Sequence, residues 1–253
     1  MDPQAAVVRL LVDGYVALPN ILTGAELAAL DAAFERRARE TGTRWFDWET
    51  LDGIPEFVGY LAHPNLMKYV TAFAEYMGEE AVFANSSGAR DSYNPANPGP
   101  PYEPANLRHG PLGWHDDVVG MKNPQSEAIQ MLLASLLYLD ETFADNGAYC
   151  SAVGSHYLAR ATADKKPILA KPEFVLDNCE LKPVPLKPGG VVLYRGHHWH
   201  GVVPMKQRRR LVLQSFTTRR HYNMQIGHTQ LSEKSRALLT PAQKKYITSY
   251  SQA

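Results

Sequence analysis

Cysteine is almost missing: Cys150 and Cys179 are the only two in 253 residues. This excludes a disulfide framework as the source of stability and suits a reducing compartment. Neither has a second cysteine close enough to form a metal knuckle. Net charge is missing too, with 26 basic side chains balancing 26 acidic ones, so bulk electrostatics ask for neither nucleic acid nor an anionic membrane. No apolar run reaches the roughly 18 residues that a membrane-spanning helix needs. The opening MDPQAAVVRLLVDGYVALPN has an acid at position 2 and lacks the basic n-region of a secretory signal. A cytoplasmic protein with a small-molecule partner is therefore expected. What is present suffices for a core, since 45% of the residues are hydrophobic, the usual share for a globular domain.

The chain reads as one domain over residues 1–253, in four stretches. Residues 1–90 are predicted to be mostly helical. Thr23 and Glu26 have the spacing of a capping box before LAALDAAFERRARE, NLMKYVTAFAEYM is a second amphipathic segment, and GYVALPN between them alternates like a short strand. Residues 91–113, DSYNPANPGPPYEPANLRHGPLG, hold six prolines and are predicted to be an irregular excursion; so long a loop is usually functional. Residues 114–220 break into short apolar runs, IQMLLASLLYL, GAYCSAV, PVPL, GGVVLYR, WHGVVPM and RLVLQSF, which suit an antiparallel sandwich or barrel. Periodicity alone leaves Ala128–Asp140 open to a buried helix. Residues 221–253 return to helix, interrupted at Pro241.

Two clusters carry chemistry. In GWHDDVVG, a strand would put His115 and Asp117 on one face and Asp116 on the other, so Asp117 is the carboxylate that would share a metal with His115. A His-x-acid pair is expected about once by chance in such a composition, and a solvated polar loop is its plain alternative. YRGHHWHGVV then carries His197, His198 and His200, and three histidines in four positions seldom serve packing alone. One of them would complete a two-histidine, one-carboxylate triad, which leaves metal positions open and marks non-haem Fe(II) oxygenases. Arg208, Arg209 and Arg210 follow at the head of LVLQSF. Such runs are usually solvated, but a guanidinium pointing into a barrel is a fixed fork for a carboxylate.

With WHDD, LYLDETFADNGAYCSAVGSH and KPGGVVLYRGHHWHG followed by RRLVLQSF, the stretch from Gly113 to Phe216 resembles the phytanoyl-CoA dioxygenase family of Fe(II)- and 2-oxoglutarate-dependent oxygenases. LLVDGYVALPNILTGAELAAL looks more loosely like its opening. The resemblance implies a mainly β fold with flanking helices around a double-stranded β-helix, a jelly-roll or cupin-like core. It implies His115, Asp117 and His200 as iron ligands and Arg209 as the anchor of the far carboxylate of 2-oxoglutarate, with Arg208 and Arg210 as fallbacks. Fe(II), 2-oxoglutarate and O2 are the implied cofactors, and hydroxylation of a small organic substrate in secondary metabolism is the favoured reaction, with desaturation, ring closure and epimerisation open after the same hydrogen abstraction. Two positions depart from the pattern: Val153 replaces the proline of a P-G-S-H segment, and Val202 stands where a serine is common. Asp117 is retained, whereas halogenating relatives have a small residue there.

Substrate contacts are the least legible part. The excursion offers Tyr93, Tyr102, Asn106, Arg108 and His109, and TRWFDWETLDG offers Trp45, Phe46 and Trp48; of these Trp45, Tyr102 and Arg108 are the expected substrate-binding residues. Aromatic walls with a few polar groups are what apolar ligands use, and packing explains the tryptophans equally well. Two other functions remain open on these residues: a non-catalytic barrel that binds a small molecule, and a divalent-metal hydrolase that would not need Arg209.

Overall fold

The computed structural model describes residues 1–96, 113–117, 131–162, 172–224 and 228–247. Nine strands run through them: β1 (Tyr15–Leu18), β2 (Trp45–Phe46), β3 (Ala81–Asp91), β4 (Leu133–Tyr138), β5 (Tyr149–Ala152), β6 (Leu181–Val184), β7 (Val191–Arg195), β8 (His200–Val202) and β9 (Arg210–Thr218). The larger sheet has the order β1-β7-β4-β9-β3-β2 and the smaller one β6-β5-β8. Every pairing is antiparallel.

Alternation along these strands divides the protein into layers. Leu133, Leu137, Val191, Leu193, Val212 and Phe216 face outward from the larger sheet into a core shared with the N-terminal helices. Their neighbours Ala134, Leu136, Tyr138, Val192, Tyr194 and Leu211 face inward and meet Tyr149 and Val184 of the smaller sheet. β4 is therefore buried on both faces along its whole length. A strand with apolar layers on either side loses the alternation of a half-exposed one, which is why Ala128–Asp140 also read as a possible helix.

The helical layer forms for local reasons. α1 (Pro3–Val12) has proline in its first turn and an Asp2 side chain accepting from Ala5 N. α2 (Gly24–Thr41) closes the predicted capping box: Glu26 N donates to Thr23 Oγ1 at 3.3 Å and Thr23 N to a Glu26 carboxylate oxygen at 2.8 Å. It stops at Gly42 in the left-handed conformation, φ 69°. A helix over Pro64–Tyr76 completes the layer. The expected interruption at Pro241 separates two short helices, Glu233–Leu238 and Pro241–Lys244. No helix among the described residues is long and apolar enough to cross a membrane.

Candidate metal centre

Backbone pairing brings the two histidine-bearing segments together. His115 N donates to His200 O at 3.0 Å, His200 N donates to His115 O at 2.9 Å, and Asp117 N donates to Gly196 O at 2.8 Å. His115 thus makes a single antiparallel bridge to the first residue of β8 and belongs to no longer strand. The three side chains come together here although residues 113–117 form no strand beyond that bridge. His115 Nε2 stands 3.8 Å from Asp117 Oδ1, the two imidazole centres are 4.3 Å apart, and one ligand atom from each of the three residues lies within 4.8 Å of the others. A common ion about 2.1 Å from each donor needs them roughly 3 to 4 Å apart, close to the spacing found here.

The surroundings fix the orientation of each donor. His115 Nδ1 lies 2.6 Å from the carbonyl oxygen of Gly113 and His200 Nδ1 lies 3.0 Å from that of His198. A carbonyl only accepts, so each Nδ1 carries the proton and each Nε2 keeps its lone pair for a metal. Burial pulls the His200 pKa from 6.5 down to about 4 against the opposing charge of Asp117, which keeps the ring neutral. Asp117 Oδ2 accepts from the Tyr194 hydroxyl at 2.6 Å. Burial first, and then the charge of Asp117, push the Tyr194 phenol well above its ordinary pKa. It therefore stays protonated and donating, and Oδ1 is the oxygen beside the imidazoles.

These donors open onto a cavity of about 300 Å³ between the sheets. Of the three consecutive arginines, β9 alternation sends only Arg209 into it. Its Nε donates to Gly147 O at 2.7 Å and an Nη to the Tyr138 hydroxyl at 3.2 Å. No carboxylate among the described residues pairs with that side chain, although Arg209 is only 2% exposed. A buried, unpaired guanidinium is costly by itself and fits a ligand carboxylate. Arg210 turns outward to Asp140, Glu35 and Asp31, and Arg208 is half-exposed and paired with Glu35 and Asp140. The donor chemistry thus suits a divalent metal, and Arg209 suits an anionic co-ligand.

The other expected positions fall as follows. Trp45 is not on the cavity wall; it is 59% exposed and stacks against Arg90, which is on that wall. Trp48 is buried in the helical core. Tyr102 and Arg108, with Asn106 and His109, lie outside the described residues. His198 is held between Ser151 Oγ (2.9 Å from Nε2) and Ser155 Oγ (3.2 Å from Nδ1), and His197 is buried. Val202 lines the cavity. Val153 N donates to Glu180 O at 2.8 Å, a bond that the proline expected there would lack. Sequence reasoning did not single out Tyr194, Tyr138 or Arg90. A signal for the tyrosines was available, since Tyr194 shares the inward face of its strand with Val192 and Tyr138 with Leu136.

The phytanoyl-CoA dioxygenase family model matches residues 10–206. The chain belongs to that family. As a phytanoyl-CoA dioxygenase family member it is a 2-oxoglutarate-dependent non-haem iron enzyme, with Fe(II), 2-oxoglutarate and O2 as its cofactors. No curated protein matches the chain. Among solved structures it is similar to the α-ketoglutarate-dependent epimerase SnoN from nogalamycin biosynthesis, at 16% identity and a TM-score of 0.65, over 85% of this chain and 82% of that one. It is similar also to AviO1 from Streptomyces viridochromogenes Tue57, at 20% identity and TM-score 0.61, over 91% and 98% of the two chains. HygX from Streptomyces hygroscopicus, with nickel and 2-oxoglutarate bound, matches at 16% identity and TM-score 0.57, over 85% and 87%. At such identities these likenesses concern the fold: antiparallel sheets with flanking helices, arranged as a jelly roll.

Proposed function

We propose that this enzyme hydroxylates a small organic substrate in natural-product biosynthesis, holding iron through His115, Asp117 and His200 and the far carboxylate of 2-oxoglutarate through Arg209. The observation that carries the reading is the meeting of one ligand atom from each of His115, Asp117 and His200 within 4.8 Å, on a cavity that Arg209 also lines. SnoN, named for nogalamycin biosynthesis, supports the metabolic setting by likeness.

Iron with 2-oxoglutarate and O2 supplies an oxidant strong enough to take hydrogen from an unactivated carbon. The chain's own residues position the reactants. Tyr194 holds Asp117 by one oxygen, and the carbonyls of Gly113 and His198 hold the two imidazoles in the tautomer a metal needs. Arg209, itself oriented by Gly147 and Tyr138, presents a fork to a carboxylate. Leu132, Leu136 and Leu213 add apolar wall between these polar groups, against which the shape of a substrate helps to place its reacting carbon.

Anaerobic addition of Fe(II) and then 2-oxoglutarate should give a visible charge-transfer band, and Arg209→Ala should weaken the 2-oxoglutarate dependence of that band by at least about tenfold. A band whose 2-oxoglutarate dependence is unchanged in Arg209→Ala overturns the assignment of Arg209, and a full band in His115→Ala or His200→Ala overturns that of the iron ligands. Succinate release across candidate substrates, with product masses, separates hydroxylation, which adds one oxygen, from epimerisation, which leaves the mass unchanged.

A further inference from the structure

Arg209 is not the only guanidinium on the cavity. Arg90 lies in β3 opposite Leu211 of β9. Leu211 faces the interior between the sheets, so Arg90 points the same way, and Arg209, two residues before Leu211 on that face, is its diagonal neighbour. Both line the cavity that contains His115, Asp117 and His200. The Arg90 guanidinium carbon sits 4.7 Å from the centre of the Trp45 ring, which fixes its plane from the solvent side. Among the described residues its buried Nε has no hydrogen-bond partner and no carboxylate forms an ion pair with it. Burial and the neighbouring charge of Arg209 pull its pKa below the ordinary arginine value, yet arginine stays charged throughout the accessible pH range.

We propose that Arg90 is a second anion-binding position of this cavity and takes a carboxylate of the primary substrate. The proposal rests on the oxygenase reading above, which assigns Arg209 to the co-substrate. Charge counting supports it. A divalent metal with two guanidinium groups brings four positive charges to the cavity, while Asp117 and 2-oxoglutarate bring three negative ones. The other polar groups on the described wall, among them Asn85, Ser87, Ser135 and Gln214, are neutral. One positive charge is left over in a partly dry site, and a monoanionic substrate balances it. The planar fork favours a carboxylate held by two parallel bonds. Trp45 then acts through Arg90, holding the fork in place without lining the cavity.

The test uses the full chain loaded with nickel(II), as in the HygX complex, so that binding is read by calorimetry without turnover. 2-Oxoglutarate is titrated first, into the wild type, Arg209→Gln and Arg90→Gln. With 2-oxoglutarate bound, benzoate, phenylacetate and hexanoate are then titrated, each against its primary amide. We expect Arg209→Gln to weaken 2-oxoglutarate at least about tenfold and Arg90→Gln to change it less than about threefold. We expect at least one carboxylate to bind about tenfold tighter than its amide, with that preference lost in Arg90→Gln, kept in part in Arg90→Lys and reduced in Trp45→Ala. Melting profiles check that each variant is folded, and Arg90→Lys, which keeps the charge, carries the test if Arg90→Gln is not. The proposal is overturned if no carboxylate outcompetes its amide, if the preference survives Arg90→Gln, or if Arg90→Gln is the variant that loses 2-oxoglutarate. If neither arginine affects 2-oxoglutarate binding, the assignment of Arg209 fails first, and the proposal falls with it.

Discussion

The Tyr194 hydroxyl, 2.6 Å from Asp117 Oδ2, decides which carboxylate oxygen stands beside the imidazoles. Tyr194→Phe keeps the buried ring and removes only that donor, so the fold should survive while Asp117 gains rotational freedom. Loss of such an orienting bond typically costs tenfold or more in metal affinity; we expect about tenfold for Tyr194→Phe, measured by competition between the protein and a chelator for zinc(II). An unchanged affinity would mean that the bridge to His200 and the bond from Asp117 N to Gly196 O orient the carboxylate by themselves. Residues of this kind are hard to read in a sequence. His115, Asp117 and His200 announce themselves by residue type and short spacing, but the value of Tyr194 arises only when β7 lies beside the 113–117 segment. Arg90 was illegible for the same reason, being defined by its register against β9. Trp45 was read in the sequence as a substrate-binding aromatic, and the structure instead sets it against Arg90, a neighbour that the sequence could not show.

At the scale of elements, β9 turns one run of three arginines into two different devices. Arg209 faces the cavity, whereas Arg210, 2% exposed, reaches Asp140 at 2.8 Å and Glu35 of α2 at 2.8 Å, with Asp31 alongside. Removing one partner of a buried ion pair leaves the other charge uncompensated, at a cost of about 3 to 5 kcal/mol. The carboxylates here keep partial access to water, so Arg210→Ala should cost on the order of 2 kcal/mol. Urea unfolding measures it, and an effect under about half a kcal/mol would show the network to be a surface feature. The turn between α1 and β1 is tighter still. Gly14 has φ +86°, and a Cβ there would lie 2.3 Å from His198 Nδ1 and 2.5 Å from His156 Nδ1. Gly14→Ala must therefore shift two buried rings, and we expect it to destabilise by more than about 3 kcal/mol or to yield insoluble protein. The helix starts and most strands were legible because caps and apolar alternation are local signals. The choice for β4 was not, since burial on both faces erases the alternation.

Across the whole molecule, the buried histidines tie stability to pH. His156 is 1% exposed, its Nε2 donates to Leu11 O at 2.9 Å, and its Nδ1 has no hydrogen-bond partner among the described residues. Burial lowers its pKa from 6.5 to about 4, opposed by that hydrogen bond and by Asp13 and reinforced by Arg195. The folded pKa lies below the unfolded one. Above pH 6.5 the ring is neutral in both states and its contribution is complete. Between pH 6.5 and about 4 the unfolded chain takes up a proton that the folded one refuses, so stability falls as the solution is acidified. The shift corresponds to about 3 kcal/mol for this one residue, an order-of-magnitude figure. His156→Gln keeps an N–H for Leu11 and cannot titrate, so it should be less stable at pH 7.5 but flatten the decline towards pH 4.5. Denaturant midpoints of the metal-free protein, taken across that range for both forms, measure the difference. Parallel curves would mean that His156 takes up its proton in the folded state as readily as in the unfolded chain, which would require the α1–β1 corner to open to water in the native protein.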